Sequence, residues 1–141
     1  MSKGVPQHLS ILTLGAFDLP ALREFYGTWG WSEIDASSDQ WCAFDVRGCL
    51  LSIYPLELLG DEAAPGEPVL AAPWRGFTMA INVETEDDVQ TVFDMAVASG
   101  AIAIQAPARR DWGGLSAYVA DPEGNRWEIA AGGPNATPTD A

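Results

Sequence analysis

Hydrophobic and polar positions change their period twice along the chain, and the two changes match. Leu9-Ser10-Ile11-Leu12-Thr13-Leu14 is β-rich and runs into Asp18-Leu19-Pro20-Ala21-Leu22. From there Leu19, Leu22, Phe25, Tyr26 and Trp29 recur every three or four residues, which makes one apolar helix face. Asp18 is placed to cap that helix, and Pro20 falls in its first turn, where a missing N–H costs nothing. Further on, Met79-Ala80-Ile81-Asn82-Val83 is again β-rich and leads into a second stripe of Val89, Val92, Phe93, Ala96 and Val97. Thr85 and Asp88 stand there at capping-box spacing. A shift of 70 places Ile11 on Ile81, Asp18 on Asp88, Leu19 on Val89 and Gly30 on Gly100. Each copy reads as strand, acidic helix start, helix and glycine stop.

A second repeat follows the first. Trp41 to Gly48 reads as a strand entering a turn, and Leu50 to Tyr54 as the strand leaving it. Tyr118 to Gly124 and Arg126 to Ala130 repeat the pattern at an offset of 76, with Asp45 on Asp121, Gly48 on Gly124 and Ser52 on Glu128. Asp121-Pro122-Glu123-Gly124 is turn chemistry, since proline presets φ and glycine accepts a positive one. The larger offset predicts an insertion near Pro107 to Gly114. The expected organisation is a first module over residues 8–54, a Pro/Gly-rich linker over 55–75, a second module over 76–132 and a disordered tail over 133–141.

Composition narrows the partners. In 141 residues there are 20 acidic side chains against 7 lysines and arginines, a formal charge of −13. That field repels phosphate backbones and anionic membrane surfaces, so neither nucleic acid nor membrane is an expected partner. It favours a cationic ligand, although an acidic surface also serves solubility alone. No apolar run is long enough to span a bilayer, and the first residues lack the apolar core of a secretory signal. Cys42 and Cys49 are too few for a disulfide scaffold or a cysteine zinc site; as buried reduced thiols they suit a cytoplasmic protein.

Three stretches carry a family resemblance: Leu12-Thr13-Leu14-Gly15 through Phe25-Tyr26 to Gly30-Trp31, then Trp112-Gly113-Gly114, then Asp121-Pro122-Glu123-Gly124-Asn125-Arg126-Trp127-Glu128-Ile129. Over roughly residues 8 to 132 the chain resembles the glyoxalase/bleomycin resistance protein/extradiol dioxygenase (vicinal oxygen chelate) superfamily. The resemblance implies an α+β fold of two βαβββ modules, forming curved sheets around a concave cavity. It also implies a homodimer. Metal-dependent members place ligands at positions that correspond here to Ile11, Ser52, Ile81 and Glu128. Only the last is a strong donor, so no metal and no other cofactor is expected. His8, the single histidine, stands three residues before Ile11, on the opposite strand face.

Strand alternation then gives the expected wall. Thr13 lies in phase with Ile11, Met79 with Ile81, and Arg126 with Glu128; two-residue hairpins would add Trp41, Ala43, Ala117 and Val119. Arg126 and Glu128, two apart on one strand, either pair with each other or face a ligand. Trp112 belongs to a glycine-flanked loop; in resembling antibiotic-binding members a tryptophan of this loop stacks on the drug, the alternative being packing on its own domain. The expected function is metal-independent binding or sequestration of a small organic molecule, such as a cationic aromatic, antibiotic-like one. A glyoxalase-like lyase or dioxygenase using Glu128, and a structural or regulatory dimer without ligand, are the alternatives.

Overall fold

The computed structural model describes residues 4–68 and 74–132, so the expected tail and part of the linker lie outside the described residues. In chain order the elements are β1 (Ile11–Ala16), α1 (Leu19–Thr28), β2 (Cys42–Asp45), β3 (Leu50–Pro55), α2 (Leu56–Ala63), β4 (Thr78–Asn82), α3 (Glu86–Ala98), β5 (Ile102–Arg109), β6 (Gly114–Ala120) and β7 (Arg126–Gly132). The fold is α+β, with two mixed sheets.

The first compact unit carries the three-stranded sheet β1-β3-β2, with β1 parallel and β2 antiparallel to the central β3. A fourth strand is reduced to a single bridge between Glu33 and Phe44. Leu14, Ala16, Leu51 and Ile53 are buried on one face. The Pro/Gly-rich segment after β3 is helical at its start, because Leu56-Glu57-Leu58-Leu59 is an amphipathic opening that precedes the first of its glycines. α2 lies against Gly15, where an added Cβ would come within 2.5 Å of a Leu56 methyl and 3.2 Å of its Cα.

The second unit holds Pro20 to Gly30, most of α1, together with the chain from β4 onward. Its sheet runs β4-β7-β6-β5, with β4 and β7 parallel and the remaining pairs antiparallel. α3 begins on a capping box in which Thr85 and Asp88 satisfy each other's backbone N–H, as the sequence predicts. Val89, Phe93 and Ala96 of its stripe are buried. Leu22, Phe25 and Tyr26 of α1 are buried too, with Tyr26 and Trp29 edge-on to Trp127 of β7. Trp127 and Ile129 therefore mark the helix-covered face of this sheet. Arg109 at the end of β5 forks onto Glu86 at the start of α3 through two bonds of 2.7 Å. Those bonds hold the Glu86 carboxyl below its usual range.

Candidate functional site

Two turns decide which side chains share a face. Between β2 and β3, Arg47 and Gly48 both have positive φ and Val46 N–H donates to Cys49 at 2.9 Å, a two-residue hairpin of type I′. It pairs Ala43 with Ser52. Between β6 and β7 the loop is Pro122-Glu123-Gly124, with Gly124 alone at positive φ and Asp121 N–H donating to Asn125 at 3.0 Å. That three-residue loop pairs Tyr118, not Val119, with Glu128. One residue of register turns every side chain of β6 over. Ala117 and Val119, expected beside Glu128, lie opposite Ile129 and Trp127 on the helix-covered face and are buried there.

β4 is turned over in the same way. α1 has 10 residues and α3 has 13, so the helix starts, Leu19 and Glu86, correspond at 67, whereas their glycine stops correspond at 70. Three residues belong inside the second helix, not before its strand. The odd number again exchanges faces: Ala80 pairs with Glu128, while Met79 and Ile81 pair with Trp127 and Ile129. Met79 and Ile81 are thus corrected to the face opposite Glu128. Thr78, partner of Arg126, is the counterpart of Ile11.

The helix-free face of the second sheet therefore presents Thr78 and Ala80 from β4, Arg126, Glu128 and Ala130 from β7, and Ser116, Tyr118 and Ala120 from β6. Tyr118 donates its hydroxyl to Glu128 Oε2 at 3.2 Å. Arg110, in the turn before β6, donates Nε–H to Ser116 Oγ at 2.8 Å and Nη2–H to the Ser116 carbonyl at 3.1 Å. Its Cζ stands 5.8 Å from the centre of the Tyr118 ring, within cation–π range. Burial raises the Tyr118 phenol above its ordinary range, and the charge of Glu128 and the bond to it add to the effect. Arg126 does not pair with Glu128: it donates to the Gly124 carbonyl at 2.7 Å and lines a shallow depression with Trp74, Arg75 and Phe77.

In the first unit, Ile11, Thr13 and Ser52 do share a face, through the pairs Ile11–Leu50 and Thr13–Ser52. The hydroxyls of Thr13 and Ser52 bond each other at 2.7 Å, and Ile11 is exposed. Trp41 stands just outside β2 and is partly exposed. Trp112 is 44% exposed, yet its ring overlies Gly114, where an added Cβ would fall 1.9 Å from Cζ3. His8 is exposed and bonded to Ser10 Oγ at 3.0 Å.

The closing Asp-Pro-Glu-Gly-Asn hairpin serves architecture. Asp121, fully buried, accepts from the Tyr26 hydroxyl at 2.5 Å, from the N–H groups of Glu123 and Asn125 at 2.9 Å each, and from the Asn125 amide at 2.8 Å. Trp127 Nε1–H donates to the Tyr26 oxygen at 3.0 Å. Burial, reinforced by the Asp121 charge, raises the Tyr26 phenol well above its usual value. The loop that sets the register of β6 is thereby tied to α1.

The sequence pattern of the Glyoxalase/Bleomycin resistance protein/Dioxygenase superfamily matches residues 8–129. The chain belongs to this superfamily. Among solved structures it is similar to a glyoxalase-related enzyme from Fulvimarina pelagi, at 30% identity and a TM-score of 0.79, covering 90% of this chain and 89% of that one. It is also similar to a glyoxalase/bleomycin resistance protein/dioxygenase family enzyme from Burkholderia phytofirmans PsJN, at 25% identity and a TM-score of 0.73, covering 86% and 96%. A lactoylglutathione lyase from Agrobacterium tumefaciens, at 21% identity and a TM-score of 0.63 over 91% and 96%, shares the fold. No match was found among curated proteins.

The metal of the superfamily's metal-dependent members does not fit the residues here. The first unit offers Ile11 and Ser52, the latter hydrogen-bonded to Thr13; the second offers Thr78 and Glu128. One carboxylate is short of the roughly three imidazole or carboxylate donors such an ion needs. Among the described residues no group of three His, Cys, Asp or Glu side chains stands together. Arg110, Ser116 and Tyr118 escaped the sequence reading. The signal for Ser116 and Tyr118 was Gly124, since a glycine at the third loop position marks a three-residue hairpin. Nothing in the sequence foretold the fold-back of Arg110 onto Ser116.

Proposed function

We propose that the protein binds a small organic molecule without a metal, on the helix-free face of its second sheet, and holds it in place of transforming it. The observation that carries this reading is the half-buried Tyr118–Glu128 pair beside a floor of small side chains, Ala120, Ala130 and Ser116. Those small side chains are buried, and the Tyr118 hydroxyl and the Glu128 carboxylate are the partly exposed polar groups of this face that would orient a ligand. The charge of −13 favours a cationic or amine-bearing aromatic ligand, of the kind an antibiotic-sequestering protein takes. Trp112, half-exposed at the end of this sheet, supplies a stacking surface. A cytoplasmic homodimer completes the proposal, because among the described residues β4 and β5 are the edge strands of this sheet, which a second chain could cover.

Native mass spectrometry of the protein as purified from cells, with elemental analysis, tests the reading. A retained organic mass on a dimer of about 30 kDa, with far less than one metal per chain, is expected. A stoichiometric ion released by Glu128→Gln would overturn it. Trp112→Ala should weaken ligand binding about tenfold by removing a stacking contact, with the fold intact. Normal binding with easy unfolding would assign that ring to packing on Gly114. The second reading, an enzyme using Glu128, is favoured by the Tyr118 hydroxyl at its carboxylate and by the likeness to the glyoxalase-related enzyme from Fulvimarina pelagi. Turnover of a retained ligand would select it.

A further inference from the structure

We propose that the ligand is a zwitterion, its carboxylate taken by Arg110 and its protonated amine by Glu128, on either side of Tyr118. This rests on the small-molecule reading above and adds the chemical class. Arg110 is held by Ser116 through Nε and Nη2 and by the Tyr118 ring. A guanidinium carries five N–H groups. Two go to Ser116, and among the described residues no acceptor takes those of Nη1. Glu128 is complementary: Oε2 accepts from Tyr118, and Oε1 accepts from no described residue. The two opposite charges do not pair with each other, although Arg110 folds from its turn onto Ser116 and Tyr118, on the face of β6 and β7 that carries Glu128.

The register sets their spacing. Ser116, which anchors Arg110, pairs with Ala130, and Tyr118 pairs with Glu128. Ser116 and Glu128 are therefore diagonal neighbours, about 7–8 Å apart in such a sheet. The guanidinium stands by the Tyr118 ring and the carboxylate by its hydroxyl, so a molecule with both charges on neighbouring carbons can make a charge-assisted bond at each end. A plain anion would meet the repulsion of a chain carrying −13 and leave Glu128 unused. A plain amine would leave the fixed guanidinium without an anion. The Tyr118 ring lies between the two heads, so an aromatic substituent on the zwitterion is favoured.

The test uses three probes of one skeleton: phenylalanine, 2-phenylethylamine and 3-phenylpropanoate, titrated calorimetrically into the full-length protein. Phenylalanine should bind at least about tenfold more tightly than either half-molecule, because each half forfeits one charge-assisted bond. Arg110→Gln should remove the advantage over the amine, and Glu128→Gln the advantage over the acid. Equal binding of phenylalanine and the amine would overturn the proposal, and the parent protein alone suffices for that comparison. If no probe binds while other organic compounds do in a Glu128-dependent way, the zwitterion falls and the small-molecule reading stands. If no organic compound binds in such a panel, the underlying reading falls as well.

Discussion

Two tyrosine–carboxylate pairs occur in the second unit, on opposite faces of β7, and they are built differently. Tyr26 and Asp121 are fully buried, 2.5 Å apart, and Asp121 accepts four hydrogen bonds. Tyr118 and Glu128 are half-buried, 3.2 Å apart, and Glu128 accepts one. The first pair has spent its bonding capacity within the fold. The second keeps an oxygen in reserve. Saturation thus separates a structural carboxylate from one available to a ligand, even though the side-chain types match. Buried polar groups are tolerated when every member is satisfied.

The largest expected effect comes from breaking the saturated pair. Asp121→Ala leaves the Tyr26 hydroxyl, the Asn125 amide and two loop N–H groups without their acceptor, and should cost about 3 kcal/mol in urea unfolding. A loss under about 1 kcal/mol would place this network outside the structural frame.

Alkaline pH probes the same pair with opposite proton bookkeeping on the two sides of unfolding. The Tyr26 phenol is raised in the folded chain, whereas an unfolded tyrosine ionises near about pH 10. Above that pH the folded state holds more protons, so the stabilisation present below about pH 10 declines as pH rises toward the folded value. Tyr26→Phe, though less stable at neutral pH, should show a flatter decline. Tyr118, raised by less complete burial, contributes a smaller share. Identical alkaline slopes for the parent and Tyr26→Phe would remove Tyr26 from this role.

The smallest effect belongs to the unsaturated pair. Glu128→Gln and Tyr118→Phe each disturb one long, half-exposed bond and should change stability by less than about 1 kcal/mol. A melting temperature many degrees lower for either variant would make this face structural.

Much of this architecture was legible in the sequence. Helix stripes, the Thr85–Asp88 capping box and the turn at Gly124 could each be read from local chemistry. The phase of two strands could not, because it depends on counting residues across a repeat. Three residues placed before β4 instead of inside α3 turned Met79 and Ile81 outward to the wrong wall. One residue of loop did the same for Ala117 and Val119. Alternation has period two, so any odd error inverts a wall while leaving every element in place. The first unit, with its two-residue Arg47-Gly48 turn, kept Ile11, Thr13 and Ser52 together as read.

The chain has three tyrosines, Tyr26, Tyr54 and Tyr118, so ring-labelled tyrosine NMR resolves the comparison directly. Titration of an organic ligand, phenylalanine first, into the labelled protein should move the Tyr118 resonances and leave those of Tyr26 in place. Saturable binding that leaves Tyr118 unmoved, or shifts Tyr26 in its stead, would contradict the assignment of the helix-free face to ligand.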